Sequence, residues 1–160
     1  MSERYDFIIH GGQVAAQGGT VEADIGVAGG KVSVLGDLSA TEAPERFDAC
    51  GLHVLPGVID TQVHFREPGL EHKEDLATGT AGAVLGGVTS IFEMPNTDPS
   101  TLTEEDLNYK LARARGRAWC DHAFFIGAAA ENAGDLARLE RLPGCAGVKV
   151  FMGSSTGNLL

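Results

Sequence analysis

From Pro56 onward the chain alternates short apolar, β-branched runs with segments of helical periodicity, and this rhythm constrains the fold more than any other feature of the sequence. Val58 to Val63 reads as a strand. "HKEDLATGTAGAVLGG" follows it and places Leu76, Thr80, Ala83 and Val84 on one helical face. "VTSIFEM" is a second strand, ended by Pro95. Thr103 with Asp106 three residues later resembles a capping box, ahead of Leu107, Leu111 and Ala114 at helical spacing. "HAFFIGA" predicts a third strand, "NAGDLARLERL" a further short helix and "AGVKVFM" a fourth strand. Consecutive βα units of this length imply a parallel sheet with helices outside it, an α/β architecture. Such a sheet is either open and doubly wound or the opening part of a (β/α)8 barrel. A complete barrel takes about 250 residues, so about four strands would make only its front portion.

The preceding residues have a different character. "YDFIIHGG" is a short strand closed by glycines, and "ADIGVAGGKVSVLG" alternates around Gly29-Gly30 in the manner of a hairpin with a glycine turn. A polar stretch containing Pro44 then leads to Pro56. The expected organisation is a small all-β module over 1–55 and a truncated α/β domain over 56–160.

Several function classes are disfavoured by composition. The net charge is −10 and no Lys/Arg run occurs, which argues against a nucleic-acid surface or an anionic membrane as partner. Cys50, Cys120 and Cys145 are odd in number, far apart and in no CxxC arrangement, as expected of reduced thiols buried as small hydrophobes in a cytoplasmic protein. The N-terminus, with Glu3, Arg4 and Asp6 around a four-residue apolar run, reads as neither a signal peptide nor an anchor.

The chemistry concentrates in "PGVIDTQVHFREPG". Strand alternation puts Gln62 and His64 on one face, with Asp60 one pleat earlier. At the C-terminal end of a barrel strand such a face opens into an active site, which makes His64 a candidate metal ligand, although a lone histidine at a strand end is more often a hydrogen-bonded structural residue. The next strand ends in "EMPNTDP", with Asn96 just past it. Lys149 lies between Val148 and Val150, where burying an ammonium is costly unless it is paired, chemically altered or reaches the surface. His10, His53, His72 and His122 have no partner spacing and read as structural or surface residues, and Glu67, Glu71, Glu74 and Asp75 as turn and helix N-terminal charges. The glycine pairs lack the strand-loop-helix context of a phosphate loop.

"GVIDTQVHFREPGLEHKEDLATGTAGAVLGGVTSIFEMPNTDP" resembles the start of a dihydroorotase of the amidohydrolase superfamily, with "HFREPG" and "EMPNT" as its most specific pieces. The resemblance implies a (β/α)8 barrel preceded by a β-sandwich portion. By position, His64 matches the second histidine of the family's HxH metal motif, Arg66 and Asn96 the pair that holds a substrate carboxylate, and Lys149 a carbamylated lysine bridging two zinc ions. The implied reaction is reversible opening of dihydroorotate to N-carbamoyl-L-aspartate in pyrimidine synthesis, with one or two Zn2+ ions as cofactor. Gln62 departs from the motif, because its neutral amide oxygen is a poorer zinc ligand than imidazole. The remaining metal histidines and the general-base aspartate are expected beyond Leu160, so these 160 residues alone are expected to be inactive. Other cyclic amides, such as allantoin or a hydantoin, are the rival substrates. A non-catalytic homologue that assembles with aspartate transcarbamoylase is the rival of another class. The resemblance further implies a homo-oligomer.

Overall fold

In the computed structural model, which describes residues 4–153, the chain divides into two compact units between Pro56 and Gly57. The first is built on one five-stranded sheet. β1 (Phe7–Ala16), β2 (Gly19–Ala28) and β3 (Lys31–Gly36) form an antiparallel meander. β4 (Glu45–Asp48) and β5 (His53–Val54) then pair in parallel with successive parts of β1. The β2–β3 turn is the glycine hairpin expected from the sequence, with Gly29 and Gly30 at φ +59° and +74°, the pair of positive angles a tight hairpin requires. Where the sequence suggested a sandwich, the described residues of this unit hold a single sheet.

A bulge interrupts β1 between Ile9 and Gly12, where Gly11 adopts φ +70°. A Cβ on Gly11 would lie 2.5 Å from the Cys50 sulfur, so the close approach also requires glycine. The bulge aims the Gly11 N–H at Asp24 Oδ1, 2.7 Å away. Asp24 is buried and accepts in addition from the Leu38 N–H at 2.8 Å, with His10 Nδ1 at 2.9 Å. Burial alone would raise this carboxyl; the Gly11 and Leu38 amides and His10 more than offset it and hold it below its usual range. Tyr5, Ile8 and Leu38 form the apolar centre of the unit.

The second unit carries four parallel strands in the order β6 (Val58–Val63), β7 (Val88–Glu93), β8 (Asp121–Gly127) and β9 (Cys145–Lys149). α1 (Leu76–Leu85), α2 (Glu104–Ala114) and α3 (Leu136–Leu139) connect them. Leu76, Leu107, Ala114, Phe124, Ile126 and Leu139 make the core between helices and sheet. α1 starts where Asp75 accepts from the Thr78 N–H at 2.8 Å. Its buried face is Leu76, Gly79 and Thr80, whereas Val84, expected on that face, is exposed. Gly79 is there because Phe65 occupies the space a Cβ would need. α2 begins with the capping box read from Thr103 and Asp106, each side chain bonding the other's backbone N–H. The third helix is a single turn, shorter than "NAGDLARLERL" suggested. All three cysteines are free, and none is fully buried as expected: Cys50 is exposed and Cys120 and Cys145 are partly buried. No helix among the described residues is long and apolar enough to cross a membrane.

Candidate active site at the strand ends

Parallel strands deliver their C-terminal ends to one edge of the sheet, and the residues singled out in the sequence follow those ends. Val63 pairs with Glu93 at the end of the β6–β7 ladder, and the Met94 N–H donates to Val63 O at 3.0 Å. This register brings His64 beside the "EMPN" segment: His64 Nδ1 lies 2.9 Å from Asn96 Oδ1. With its proton on Nδ1 the imidazole donates to that oxygen and leaves the Nε2 lone pair free. Asn96 is buried, so the bond fixes the ring. Burial and the nearby Arg66 charge push the His64 pKa below its usual value, which favours the neutral imidazole, and the bond to Asn96 only partly offsets this. The two residues therefore meet directly, where the resemblance assigned them separate tasks.

Arg66 has φ +65°, and among the described residues it is the non-glycine residue with positive φ. Its half-buried guanidinium has no hydrogen-bond or ion-pair partner among the described residues. The neighbouring carboxylates are paired with other cations. Glu67 is completely buried. It accepts from Arg113 Nε at 2.5 Å, from Arg117 Nη1 and Nη2, and from the Leu76 N–H at 2.9 Å. Burial would raise the Glu67 carboxyl, but Arg117, the Leu76 amide and Arg113 hold it below its ordinary value. Glu93 is buried as well and pairs with Lys110 Nζ at 2.7 Å. Lys110 Nζ also donates to Met94 O at 3.2 Å and lies 5.0 Å from the Phe124 ring centroid. Burial raises the Glu93 carboxyl and lowers the Lys110 ammonium, the mark of charges taken out of water together.

The sequence reading took Glu67 for a turn charge and passed over Glu93 and Lys110. The signal was present: a glutamate inside the apolar run "VTSIFEM", and cations at 110 and 113 one helical turn apart. Glu71 and Asp75 do behave as expected, as a surface partner of Arg113 at 2.9 Å and as the α1 cap. His10 is tied to Asp24, and His122 Nδ1 lies 3.1 Å from Cys120 O.

Gln62 is exposed near the end of β6, and its N–H donates to Asp60 Oδ1 at 3.0 Å. Asp60 pairs with Ile91 and Val63 with Glu93, so β6 carries one more residue than β7 in this stretch. The register shift falls where strict alternation was expected to carry Asp60, Gln62 and His64 on one face. Lys149 ends β9, partly buried, with Nζ 5.2 Å from the Phe151 ring centroid. It is close enough to His64 for its charge to disfavour the imidazolium. Among the described residues no three His, Cys, Asp or Glu side chains converge as a metal site. His64, neutral and oriented by Asn96, has the properties of a ligand; an unmodified Lys149 and the Gln62 amide do not complete a zinc set with it. An open groove of about 850 Å³ elsewhere in this unit is lined by acidic residues including Glu104, Asp106 and Asp135, with Arg138, and includes none of Gln62, His64, Arg66, Asn96 or Lys149.

Residues 51–151, which carry this whole arrangement, match the family described as Dihydro-orotase-like. The chain belongs to that family. Among curated members it is 44% identical over 156 residues to the allantoinase of Rubrobacter xylanophilus, an alignment covering 96% of this chain and 33% of the relative. It is 41% identical over 113 residues to the dihydroorotase of Listeria innocua, covering 70% and 26%. The L-hydantoinase (dihydropyrimidinase) from Arthrobacter aurescens superposes with a TM-score of 0.89 at 32% identity, over 97% of this chain and 35% of that one. This dihydro-orotase-like chain thus spans about a third of the length of its relatives.

Proposed function

We propose that the chain is the front part of a hydrolase that opens a cyclic amide, with allantoin or a hydantoin as the substrate class. The observation that carries this reading is the 44% identity to an allantoinase across nearly the whole chain. The hydantoinase likeness in fold and the strand-end cluster support it. The four parallel strands are then the opening half of a (β/α)8 barrel, whose strand ends would face the ring to be opened.

In this reading Asn96 holds the His64 imidazole in one orientation, and Arg66 offers a guanidinium with no competing protein partner to an oxygen of the substrate. The proposed cofactor is zinc, held on this chain's side by His64 Nε2 and by Lys149 as its carbamate, and when bound it supplies Lewis acidity toward the ring carbonyl and toward water. A second reading, dihydroorotate as substrate, is favoured by the unpaired Arg66 guanidinium, because a carboxylate is its best complement.

The test is turnover of allantoin, hydantoin and dihydroorotate by the intact zinc-loaded protein and by its Arg66→Met variant. The proposal expects allantoin or hydantoin to be opened. For a substrate held through a carboxylate, Arg66→Met should cost about 1.5–3 kcal/mol in kcat/KM. Turnover of dihydroorotate alone would overturn the first reading in favour of the second. Turnover of none would overturn both.

A further inference from the structure

We propose that Lys110, Arg113 and Arg117 are positioning residues: through the buried carboxylates of Glu93 and Glu67, they hold the Arg66 backbone in its left-handed conformation and keep its guanidinium free for substrate. The inference rests on the cyclic-amide reading for the word substrate; its geometry does not.

A non-glycine residue with positive φ stores strain and persists only where its surroundings over-determine it. Around Arg66 they do. The Leu70 N–H donates to Arg66 O at 3.0 Å and closes the following turn. Glu67, next in sequence, is fixed by two guanidinium groups and by the first amide of α1. On the other side Glu93, aligned with Val63 three positions before Arg66, is ion-paired with Lys110 Nζ at 2.7 Å. Both carboxylates are therefore anchored to cations of one element, Lys110 and Arg113 on α2 and Arg117 just after its end.

This arrangement also explains why Arg66 remains unpaired beside two acids. Glu67 accepts from Arg113, Arg117 and the Leu76 N–H, and Glu93 is ion-paired with Lys110, so each acid has a counter-charge other than the Arg66 side chain.

The experiment is hydrogen–deuterium exchange of the intact protein without substrate, read over residues 64–70 and over β8 as an internal reference, for wild type, Glu67→Gln and Arg117→Gln. Arg117→Gln removes one guanidinium from a partly exposed position and is the variant expected to fold in every case. Exchange over 64–70 should rise about tenfold in Glu67→Gln and less in Arg117→Gln, with β8 unchanged. Unchanged exchange over 64–70, or an equal rise in β8, would overturn the proposal in favour of a general stabilising role. The second arm is a cycle in kcat/KM: Glu67→Gln combined with Arg66→Met should be no slower than Arg66→Met alone, because the lost positioning acts only through Arg66. Multiplying losses would overturn it. Failure of the cyclic-amide reading would appear separately, as absence of turnover in wild type with the exchange pattern intact.

Discussion

The two units bury carboxylates in opposite ways. In the β unit Asp24 is satisfied chiefly by main-chain N–H groups, those of Gly11 and Leu38, with His10 at its side. In the α/β unit Glu67 and Glu93 are paired with cationic side chains on or just after α2, more than fifteen positions away in sequence. Backbone donors are set by the bulge and turn that aim them, so Asp24 reports and fixes a local shape. Side-chain cations join elements that share no hydrogen-bonded ladder, so Glu67 and Glu93 tie the β6 and β7 strand ends to α2. The first device shapes a sheet; the second ties strand ends to a helix.

The strongest way to break this contrast is Lys110→Ala, which leaves Glu93 buried without its counter-charge. A loss of about 3–5 kcal/mol of stability is expected, measured by urea denaturation. The double variant Lys110→Met with Glu93→Leu should recover most of it, because both charges leave the interior together. No such rescue exists for Asp24, since its backbone donors cannot be mutated away. Asp24→Asn should cost about 1–3 kcal/mol by setting an amide N–H against a main-chain donor, seen as faster exchange in the β unit alone.

Acid sharpens the comparison further. Asp24 and Glu67 are both held below their usual values of 3.8 and 4.5. Their stabilisation is present above those values and is lost as pH falls through the lower folded ones. On acidification the protection contributed by Glu67 should therefore begin to fade below pH 4.5 and that of Asp24 below pH 3.8. Exchange resolved by unit as a function of pH checks the order. Added salt should weaken the α/β network, whose Arg113 and Arg117 are partly exposed, more than the amide-held Asp24. The smallest effect belongs to Arg138, whose pair with Glu104 lies on the surface. Arg138→Ala should leave the denaturation midpoint unchanged.

Much of this was legible along the chain. The βα rhythm after Pro56 predicts four parallel strands, the Gly29-Gly30 pair a hairpin, and Thr103 with Asp106 a capped helix, because each depends on neighbours within a few residues. The positions of His64, Arg66, Asn96 and Lys149 at strand ends follow from the same local periodicity. Residue types alone also set the clean chemistry of the segment: an imidazole, a guanidinium and an amide that no charge run or glycine loop explains. Only tertiary structure decided the rest. Strand register set His64 against Asn96, and a register shift between Asp60 and Val63 interrupts the ladder where Gln62 lies. Tertiary packing made Glu67, read from the sequence as a turn charge, and Glu93, which carried no reading, into buried acids paired with cations on or just after α2. A sequence states which residues carry charge. Whether a charge meets water or a partner depends on contacts between segments 16 to 50 residues apart, Met94 with Lys110 and Glu67 with Arg117 at the two limits, and no local pattern encodes those distances.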